Sequence, residues 1–425
     1  MKKILSIILT LTLSATVFAQ PLPKKLEHNE KMAWWRNAKF GMFVHWGPYC
    51  LYGGVYNGFN QRRGGAEWIM NRCKIPVREY RAKACTFNPV DFNAEELVLT
   101  AKNAGMKYII FTTKHHDGFA MFKSNASEFN IVDYTPFKRD IVDELAKACR
   151  KHHIKLGFYY SQTQDWCNPG GGTIRKEMKE GWANPDYFRK VAIPQIKELL
   201  TNYGDVAVMW WDTPHRISKE TAAEITAELA KYPQVITNDR LRRPDFPGDY
   251  KTPEGRIPHA KDIERVDWET CMNIGSSWGY KSWEKNWKSA ETIIRNLNTI
   301  AARGGNYLLN VGPDPTGVVP APALDCLRKV GEWMRVNGEA IYATQRSEIF
   351  PPWGECIRKD EKKNSVYYLS VFQWPEDGKL AFDTKYTVKE AMLLADGTKL
   401  KFTKTPGGIT IQVPTQAPDK IATVV

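Results

Sequence analysis

The chain has 425 residues, 43% of them apolar, and carries a formal net charge of +13. This length and apolar content are ample for a large core and for more than one domain. The basic residues are scattered and form no long lysine or arginine run, so the charge favours a solvated basic surface over nucleic-acid binding.

The first 19 residues have the pattern of a signal peptide. Lys2 and Lys3 give it a positively charged start, and residues 4–13 form its apolar stretch. A cleavage site of small residues ends at Ala19. We expect cleavage after Ala19 and export to a bacterial periplasm or out of the cell. The apolar stretch is too short for a membrane anchor, and no later stretch is long enough. The residue directly after the cleavage site is Gln20 and not cysteine, which argues against a lipoprotein.

Helical and apolar segments alternate over residues 20–344. The apolar segments include "KFGMFVHWG", "KYIIFTTKHHDGF", "KLGFYYS", "DVAVMWWD", "QVITN" and "NYLLNVG". Strands that are apolar almost throughout indicate a parallel sheet buried on both faces. Six or more such units predict an α/β fold, a (β/α)8-like TIM barrel over residues 20–344. A doubly wound sheet is the alternative, but no G-x-G-x-x-G follows the first strand.

The pattern changes near Ile349. Short alternating segments such as "SVYYLSVFQWP" and "GITIQVP" are separated by turn pairs, including Asp396-Gly397. We therefore expect a small all-β, sandwich-like domain over residues 345–425. The eight cysteines are irregularly spaced and form no C-x-x-C pair, so we expect most of them to be core residues.

Polar side chains follow the predicted barrel strands, where the active site of a parallel barrel lies. They are His45, His115 with His116, Tyr160, Asp212, and Asn238-Asp239-Arg240. Any one of them alone is more often a hydrogen-bonding core or turn residue. Neighbours on a strand point to opposite faces, and no H-x-E-x-H or C-x-x-C pattern accompanies the two histidines, so we expect no metal site.

Asp212 ends a strand that carries two tryptophans, which suggests a catalytic carboxylate. Glycoside cleavage needs a second carboxyl group that protonates the leaving oxygen. Two candidates lie downstream: Glu254, in a Pro/Gly-rich stretch expected to loop over the rim, and Glu269, in "DWETC". Glu269 has a second interpretation, as a buried partner in a hydrogen-bond network.

Six segments together resemble the α-L-fucosidases of glycoside hydrolase family 29. They are "AWWRNAKFGMFVHWGPYC", "KYIIFTTKHHDGFAMFKS", "KLGFYYSQTQDW", "VMWWD", "WETCMNIGSSWGY" and "GNYLLNVGPDPTG" with "NGEAIY". They run from about residue 30 to 345. The resemblance implies a (β/α)8-like barrel, no cofactor, and retaining hydrolysis of terminal α-L-fucosyl linkages in oligosaccharides or glycoconjugates.

The resemblance also implies roles for individual residues. Asp212 resembles the nucleophile and Glu254 the acid/base, with Glu269 as the alternative. Trp210 is expected to line the pocket, and Trp278 to pack on the C5 methyl group of fucose. The residues implied for the fucose hydroxyls are His45, Glu67, Trp68, His115, His116, Tyr160 and Arg240. Arg242 and Arg243 lie beside Arg240 and compete with it for this role.

Two other functions fit the same residues. One is hydrolysis of a close stereochemical relative such as an α-L-galactoside, which depends on the space around Trp278. The other is non-catalytic glycan binding on an enzyme scaffold. The presence of Asp212 together with a suitable acid argues against the second.

Overall fold

The computed structural model describes residues 28–61, 64–173, 182–259, 262–263, 266–362 and 364–425. The predicted signal peptide, residues 1–19, lies outside these ranges. Within them, the helices are too short or too polar to span a bilayer.

Among the residues that the structure describes, seven parallel strands form the main sheet. They are β1 (Phe40–Val44), β2 (Tyr108–Lys114), β3 (Lys155–Tyr160), β4 (Val206–Trp211), β5 (Ile236–Thr237), β6 (Glu269–Asn273) and β7 (Asn306–Val311). They pair in the order β5-β4-β3-β2-β1-β7-β6. Almost every residue in them is buried, as the apolar runs predicted.

An irregular segment, residues 249–255, lies between the two edge strands β5 and β6. Asp249 N–H donates to Thr237 O over 2.7 Å, on the β5 side. On the β6 side Glu269 N–H donates to Lys251 O over 2.9 Å, and Glu254 forms a parallel bridge with Cys271. The segment therefore acts as an eighth strand, and the predicted (β/α)8-like barrel is confirmed.

In the described ranges, the helices of eight or more residues are α1 (His28–Ala38), α2 (Val77–Ala84), α3 (Ala94–Asn103), α4 (Ile141–His152), α5 (Ile193–Asn202), α6 (Lys219–Leu229), α7 (Ala290–Ala302) and α8 (Ala321–Asn337). Asn93 caps α3 by accepting from the N–H groups of Glu95 and Glu96, and Ser289 caps α7 in the same way. Shorter elements are the helical turns Pro48–Tyr52, Ala66–Trp68, Ile69–Arg72, Ile131–Tyr134, Pro185–Tyr187, Phe188–Ala192 and Gly338–Ala340, and the hairpin Val55–Tyr56 with Phe59–Asn60.

Side chains alternate between the inside and the outside of the barrel because a strand has a two-residue period. The interior cluster is unusually aromatic and contains Trp35, Phe43, Tyr108, Tyr159, Trp210 and Tyr250. Phe158, Tyr160 and Trp211 belong instead to the larger cluster between the barrel and its helices. This alternation decides which of two adjacent aromatic residues can reach the site.

The C-terminal region is antiparallel. Its strands are β8 (Gln345–Arg346), β9 (Gly354–Asp360), β10 (Ser365–Val371), β11 (Lys379–Asp383), β12 (Phe402–Lys404), β13 (Gly408–Gln412) and β14 (Thr423–Val424). They form two sheets, β8-β9-β10-β14 and β11-β13-β12, which share an apolar core that includes Leu369, Leu380 and Ile411. This small all-β unit, placed after the barrel, is the architecture that the sequence predicted.

None of the eight cysteines, all at described positions, is paired with another. Six are buried, Cys73 is intermediate and Cys85 is exposed. The prediction that most are core residues is therefore confirmed.

Candidate active site

A pocket of about 480 Å³ opens at the C-terminal ends of the barrel strands. Ten of the predicted site residues line it: His45, Glu67, Trp68, His115, His116, Trp210, Asp212, Arg240, Glu254 and Trp278. Arg243, which the sequence offered as an alternative to Arg240, lines the pocket as well. Lining residues that the sequence did not single out are Phe43, Tyr159, Thr213, Pro214, His215, Thr252, Pro253, Arg256 and Cys271. Several of these lie within three residues of a predicted site residue, and this proximity in the chain is the signal that could have found them.

Asp212 directly follows β4, and its side chain is 17% exposed. Tyr159 donates its hydroxyl to Oδ2 over 2.9 Å, while Arg240 Nη1 donates to Oδ1 over 3.1 Å. Thr213 N–H also donates to Oδ1, over 2.8 Å. These three hydrogen bonds fix the orientation of the carboxylate inside the pocket.

The sequence suggested that Glu254 lies in a loop over the rim. In the structure it lies near the end of the segment that closes the barrel. Its side chain is 46% exposed, and its Oε2 lies 2.9 Å from Arg240 Nη1. The same nitrogen atom lies 3.1 Å from Asp212 Oδ1. The two carboxyl oxygens therefore cannot be more than 6.0 Å apart.

Arg240 is the arginine that faces the inside of the pocket. Thr252 fixes its guanidinium, because the Thr252 hydroxyl accepts from Nε over 2.8 Å and the Thr252 carbonyl accepts from Nη2 over 3.1 Å. The same group lies 4.7 Å above the ring of Trp210. Arg242 instead bonds to Ile217 O and Asp245. Arg243, which also lines the pocket, bonds to Asp239.

Three buried imidazoles form one wall of the pocket. His45 Nδ1 contacts Asn310 Oδ1 at 2.7 Å, and His116 Nδ1 contacts Ser161 Oγ at 2.7 Å. Burial lowers the pKa of His45 to about 4 and takes the pKa values of His115 and His116 well below the ordinary range. All three rings are therefore neutral at pH 7 and present one donor and one acceptor nitrogen each.

The expectation that His115 and His116 point to opposite faces was wrong. Both lie past the end of β2, where the strand alternation no longer applies, and their ring centroids are 4.2 Å apart. Across the described residues, no group of three or more His, Cys, Asp or Glu side chains is arranged to hold a metal ion.

Glu67 and Trp278 line the pocket beside the imidazoles. Glu67 is buried and accepts from Gly279 N–H over 2.8 Å, and its burial raises its pKa. The ring of Trp278 lies 5.0 Å from His45 and 5.9 Å from Phe43, between centroids. A carboxyl acceptor and a flat apolar surface therefore face the same space.

Tyr160 does not reach the pocket, contrary to prediction. Its hydroxyl donates to Gln195 Oε1 on α5 over 2.7 Å, outside the barrel. Tyr159 occupies the inward position and contacts Asp212 instead. The sequence "FYYS" offered two adjacent tyrosines, and only the register of β3 separates them.

Glu269 begins β6, at the opposite end of that strand from the pocket. Inside the barrel it accepts from Tyr108 Oη over 2.5 Å and from Trp210 Nε1 over 3.1 Å. Burial raises its pKa to about 7. The structure thus places it in a buried hydrogen-bond network, where it does not face Asp212.

Comparison with known proteins gives one consistent result. A family model described as alpha-L-fucosidase matches residues 10–339. Rat plasma alpha-L-fucosidase is 30% identical, with 93% of this chain and 90% of the relative covered. The alpha-L-fucosidase isoenzyme 1 of Paenibacillus thiaminolyticus superimposes with a TM-score of 0.84 at 32% identity, covering 93% of this chain and 98% of that one.

A glycoside hydrolase family 29 alpha-L-fucosidase from Bacteroides thetaiotaomicron, trapped as a covalent intermediate with 2-fluoro-fucosyl fluoride, superimposes with the same TM-score at 29% identity. The alignment covers 96% of this chain and 98% of that one. These matches do not favour the galactoside or the non-catalytic alternative. The family model spans well over half of the chain, which therefore belongs to the α-L-fucosidases of glycoside hydrolase family 29.

Proposed function

We propose that the enzyme releases terminal α-L-fucose from glycans by double displacement, with net retention of configuration. The observation that carries this proposal is the contact of Asp212 and Glu254 with one nitrogen atom of Arg240, which limits their oxygens to a separation of 6.0 Å. Retaining enzymes have carboxyl groups about 5–5.5 Å apart, whereas inverting enzymes need about 6.5–9.5 Å to admit a water molecule. The trapped covalent intermediate of the Bacteroides relative supports the same mechanism.

In the proposed first step, an oxygen of Asp212 attacks the anomeric carbon of fucose. The new C–O bond forms as the glycosidic bond breaks, and Glu254 gives its proton to the leaving oxygen. In the second step Glu254 takes a proton from water, the water oxygen attacks the same carbon, and Asp212 leaves as a carboxylate. The partial exposure of Glu254 leaves room for both the aglycone and this water molecule.

The neutral histidines and Glu67 are proposed to bind the fucose hydroxyl groups. His45 and His116 are each fixed through Nδ1. Nε2 of His116 lies 3.5 Å from Asp212 Oδ2, so this ring faces the position at which the sugar meets the nucleophile. A hydroxyl that is missing or inverted would leave these buried groups unpaired, which is costly. Trp278 and Phe43 supply an apolar wall that suits the C5 methyl group.

The barrel floor closes the inner end of the pocket. Trp210 and Phe43 lie 4.9 Å apart between centroids and belong to the packed interior cluster. A glycan chain cannot pass through such a floor, which supports removal of a terminal residue.

We further propose that the protein is exported by the predicted signal peptide. N-terminal sequencing of secreted or periplasmic protein should begin at Gln20. A mature chain that still carries residues 1–19 would contradict this proposal.

The test of the nucleophile is Asp212→Ala assayed on an aryl α-L-fucoside. We expect turnover to fall by orders of magnitude and azide to restore it with formation of a β-fucosyl azide. Glu332→Ala, an exposed acid on α8, is the control and should keep wild-type turnover. Near-normal turnover without azide in Asp212→Ala would overturn the assignment.

The test of the acid/base is Glu254→Ala assayed on two aryl fucosides. General acid catalysis is worth about 10²–10⁴-fold, and we expect that loss on a poor leaving group and a much smaller loss on a good one. An equal loss on both substrates would assign Glu254 to binding or structure instead.

A further inference from the structure

The mouth of the pocket is basic. Arg243, Arg256 and His215 line it, and all three side chains are exposed. We refer to these three residues as the basic mouth. Neither proposed step of hydrolysis uses any of them.

Arg256 lies next to the proposed acid/base in the chain. It comes two residues after Glu254. The backbone at Arg256 is fixed, since its carbonyl accepts from Thr270 Oγ1 over 2.7 Å and Gly255 N–H donates to Cys271 O over 3.0 Å. Because Glu254 is proposed to protonate the leaving oxygen, we place Arg256, an exposed residue that lines the same pocket, on the side of the aglycone.

Most acidic groups near the mouth are already engaged. Asp212 and Glu254 both contact Arg240, and Asp239 contacts Nη2 of Arg243 over 2.9 Å. Within the described ranges, the guanidinium of Arg256 contacts no carboxylate. Once Glu254 is protonated for the first step, an excess of positive charge remains at the mouth.

We infer that the basic mouth binds an anionic group, a sulfate ester or a sugar carboxylate, on the sugar that carries the fucose. Guanidinium groups pair with such oxyanions through two parallel hydrogen bonds, which fix orientation as well as adding affinity. The inference rests on the proposed function, because it assigns the aglycone that the same site accepts. The preferred substrates are then acidic glycans.

The test compares three fucosyl oligosaccharides of one linkage that the enzyme cleaves. One is neutral, one carries a sulfate ester on the aglycone, and one carries a carboxylate-bearing sugar there. We expect at least one acidic form to be cleaved with kcat/KM about three- to tenfold above the neutral form, as partly exposed ion pairs allow. Raising the ionic strength should reduce this ratio.

Arg256→Gln should lower the acidic-to-neutral ratio about two- to fivefold, the share of one partly exposed ion pair. Arg335→Gln removes another exposed charge, near the end of α8. Arg335 is not among the residues that line the pocket, so this variant should leave the ratio unchanged. Which acidic substrate responds to Arg256→Gln identifies the group as sulfate or carboxylate.

Equal kcat/KM on all three substrates, or equal effects of the two substitutions, would overturn the inference. An aryl α-L-fucoside separates this failure from failure of the proposed function. If the aryl fucoside is hydrolysed while acidic glycans show no advantage, only the basic-mouth inference fails.

Discussion

The Tyr159 hydroxyl and the Asp212 carboxylate form a hydrogen bond of 2.9 Å at the floor of the pocket. Burial raises the pKa of Tyr159 well above its ordinary value, so the hydroxyl remains a donor at any assay pH. The Tyr159 ring stacks on Trp210 with a centroid distance of 5.7 Å and an interplanar angle of 19°. The proposed nucleophile is thus held by an aromatic ring that is itself held by the barrel interior.

Tyr159→Phe should slow the second chemical step more than the first. Asp212 loses its charge on attack and regains it on departure, so a donor to the departing carboxylate assists the second step. A hydrogen bond to a charged group is worth about 1.5–3 kcal/mol, and we expect kcat to fall about 10- to 100-fold with a parallel fall in KM. Pre-steady-state kinetics should show a burst of aglycone.

Tyr160→Phe is the matched control for this experiment. Tyr160 bonds to Gln195 outside the barrel, so its substitution should change kcat little. If the two phenylalanine variants had similar kinetics, the proposed contact between Tyr159 and the nucleophile would not matter for catalysis.

The same pair of tyrosines shows where sequence reasoning stops. Apolar composition predicted the strands of the barrel, because short and almost wholly apolar runs between helical segments are typical of parallel strands buried on both faces. It could not choose between Tyr159 and Tyr160, since the choice depends on the register of β3 against β2 and β4. A shift of one residue exchanges the inward and outward faces.

The closing segment was missed for a different reason. Residues 249–255 read "DYKTPEG" and have the composition of a loop, yet their backbone pairs with both edge strands. The local sequence of a segment does not show that its backbone pairs with strands elsewhere in the chain. Glu254 was found through family resemblance, whereas its position next to Arg240 follows from this closure.

Glu269→Gln should change the pH dependence of stability. Burial raises the folded-state pKa of Glu269 from the ordinary 4.5 to about 7. Between these values the folded state binds a proton that the unfolded state has lost, so wild-type stability falls as pH rises through this window. The loss is on the order of 3 kcal/mol and is complete above pH 7.

Glutamine keeps an oxygen that accepts from Trp210 Nε1 but does not titrate. The free energy of unfolding of Glu269→Gln relative to wild type should therefore increase from pH 5 to pH 8, as measured by denaturant unfolding at several pH values. A difference that stays constant with pH would show that Glu269 keeps its ordinary pKa.

His45, His115 and His116 should remain neutral over the range in which histidine normally titrates. Burial is the largest cause of the lowered pKa in each case, and for His45 the value is about 4. Side-chain NMR of 15N-histidine protein should show their signals unchanged from pH 8 to pH 5, each assigned by its own glutamine variant. Free histidine in the same sample is the control and should titrate near 6.5. If the three protein signals titrated in the same range, these rings would be hydrated and able to carry charge.

Lys114 and Asp165 form a fully buried ion pair, with Nζ 3.4 Å from Oδ2. Tyr187 donates its hydroxyl to the same Oδ2 over 3.0 Å, and Asn168 donates to it over 2.7 Å. Asp165 lies next to Trp166, whose ring packs 5.5 Å from that of His116. The pair therefore fixes a rim loop against the wall of the pocket.

Lys114→Met should lower the free energy of unfolding by about 3–5 kcal/mol, because removal of one partner leaves the other charge buried and unpaired. Adding Asp165→Asn should recover much of this loss, since the amide removes the uncompensated charge. Lys147→Met breaks an exposed i,i+4 pair with Asp143 and should cost at most about 0.5 kcal/mol. Denaturant unfolding of wild type and the three variants measures these differences. A double variant no more stable than Lys114→Met would mean that Lys114 acts through packing rather than through its charge.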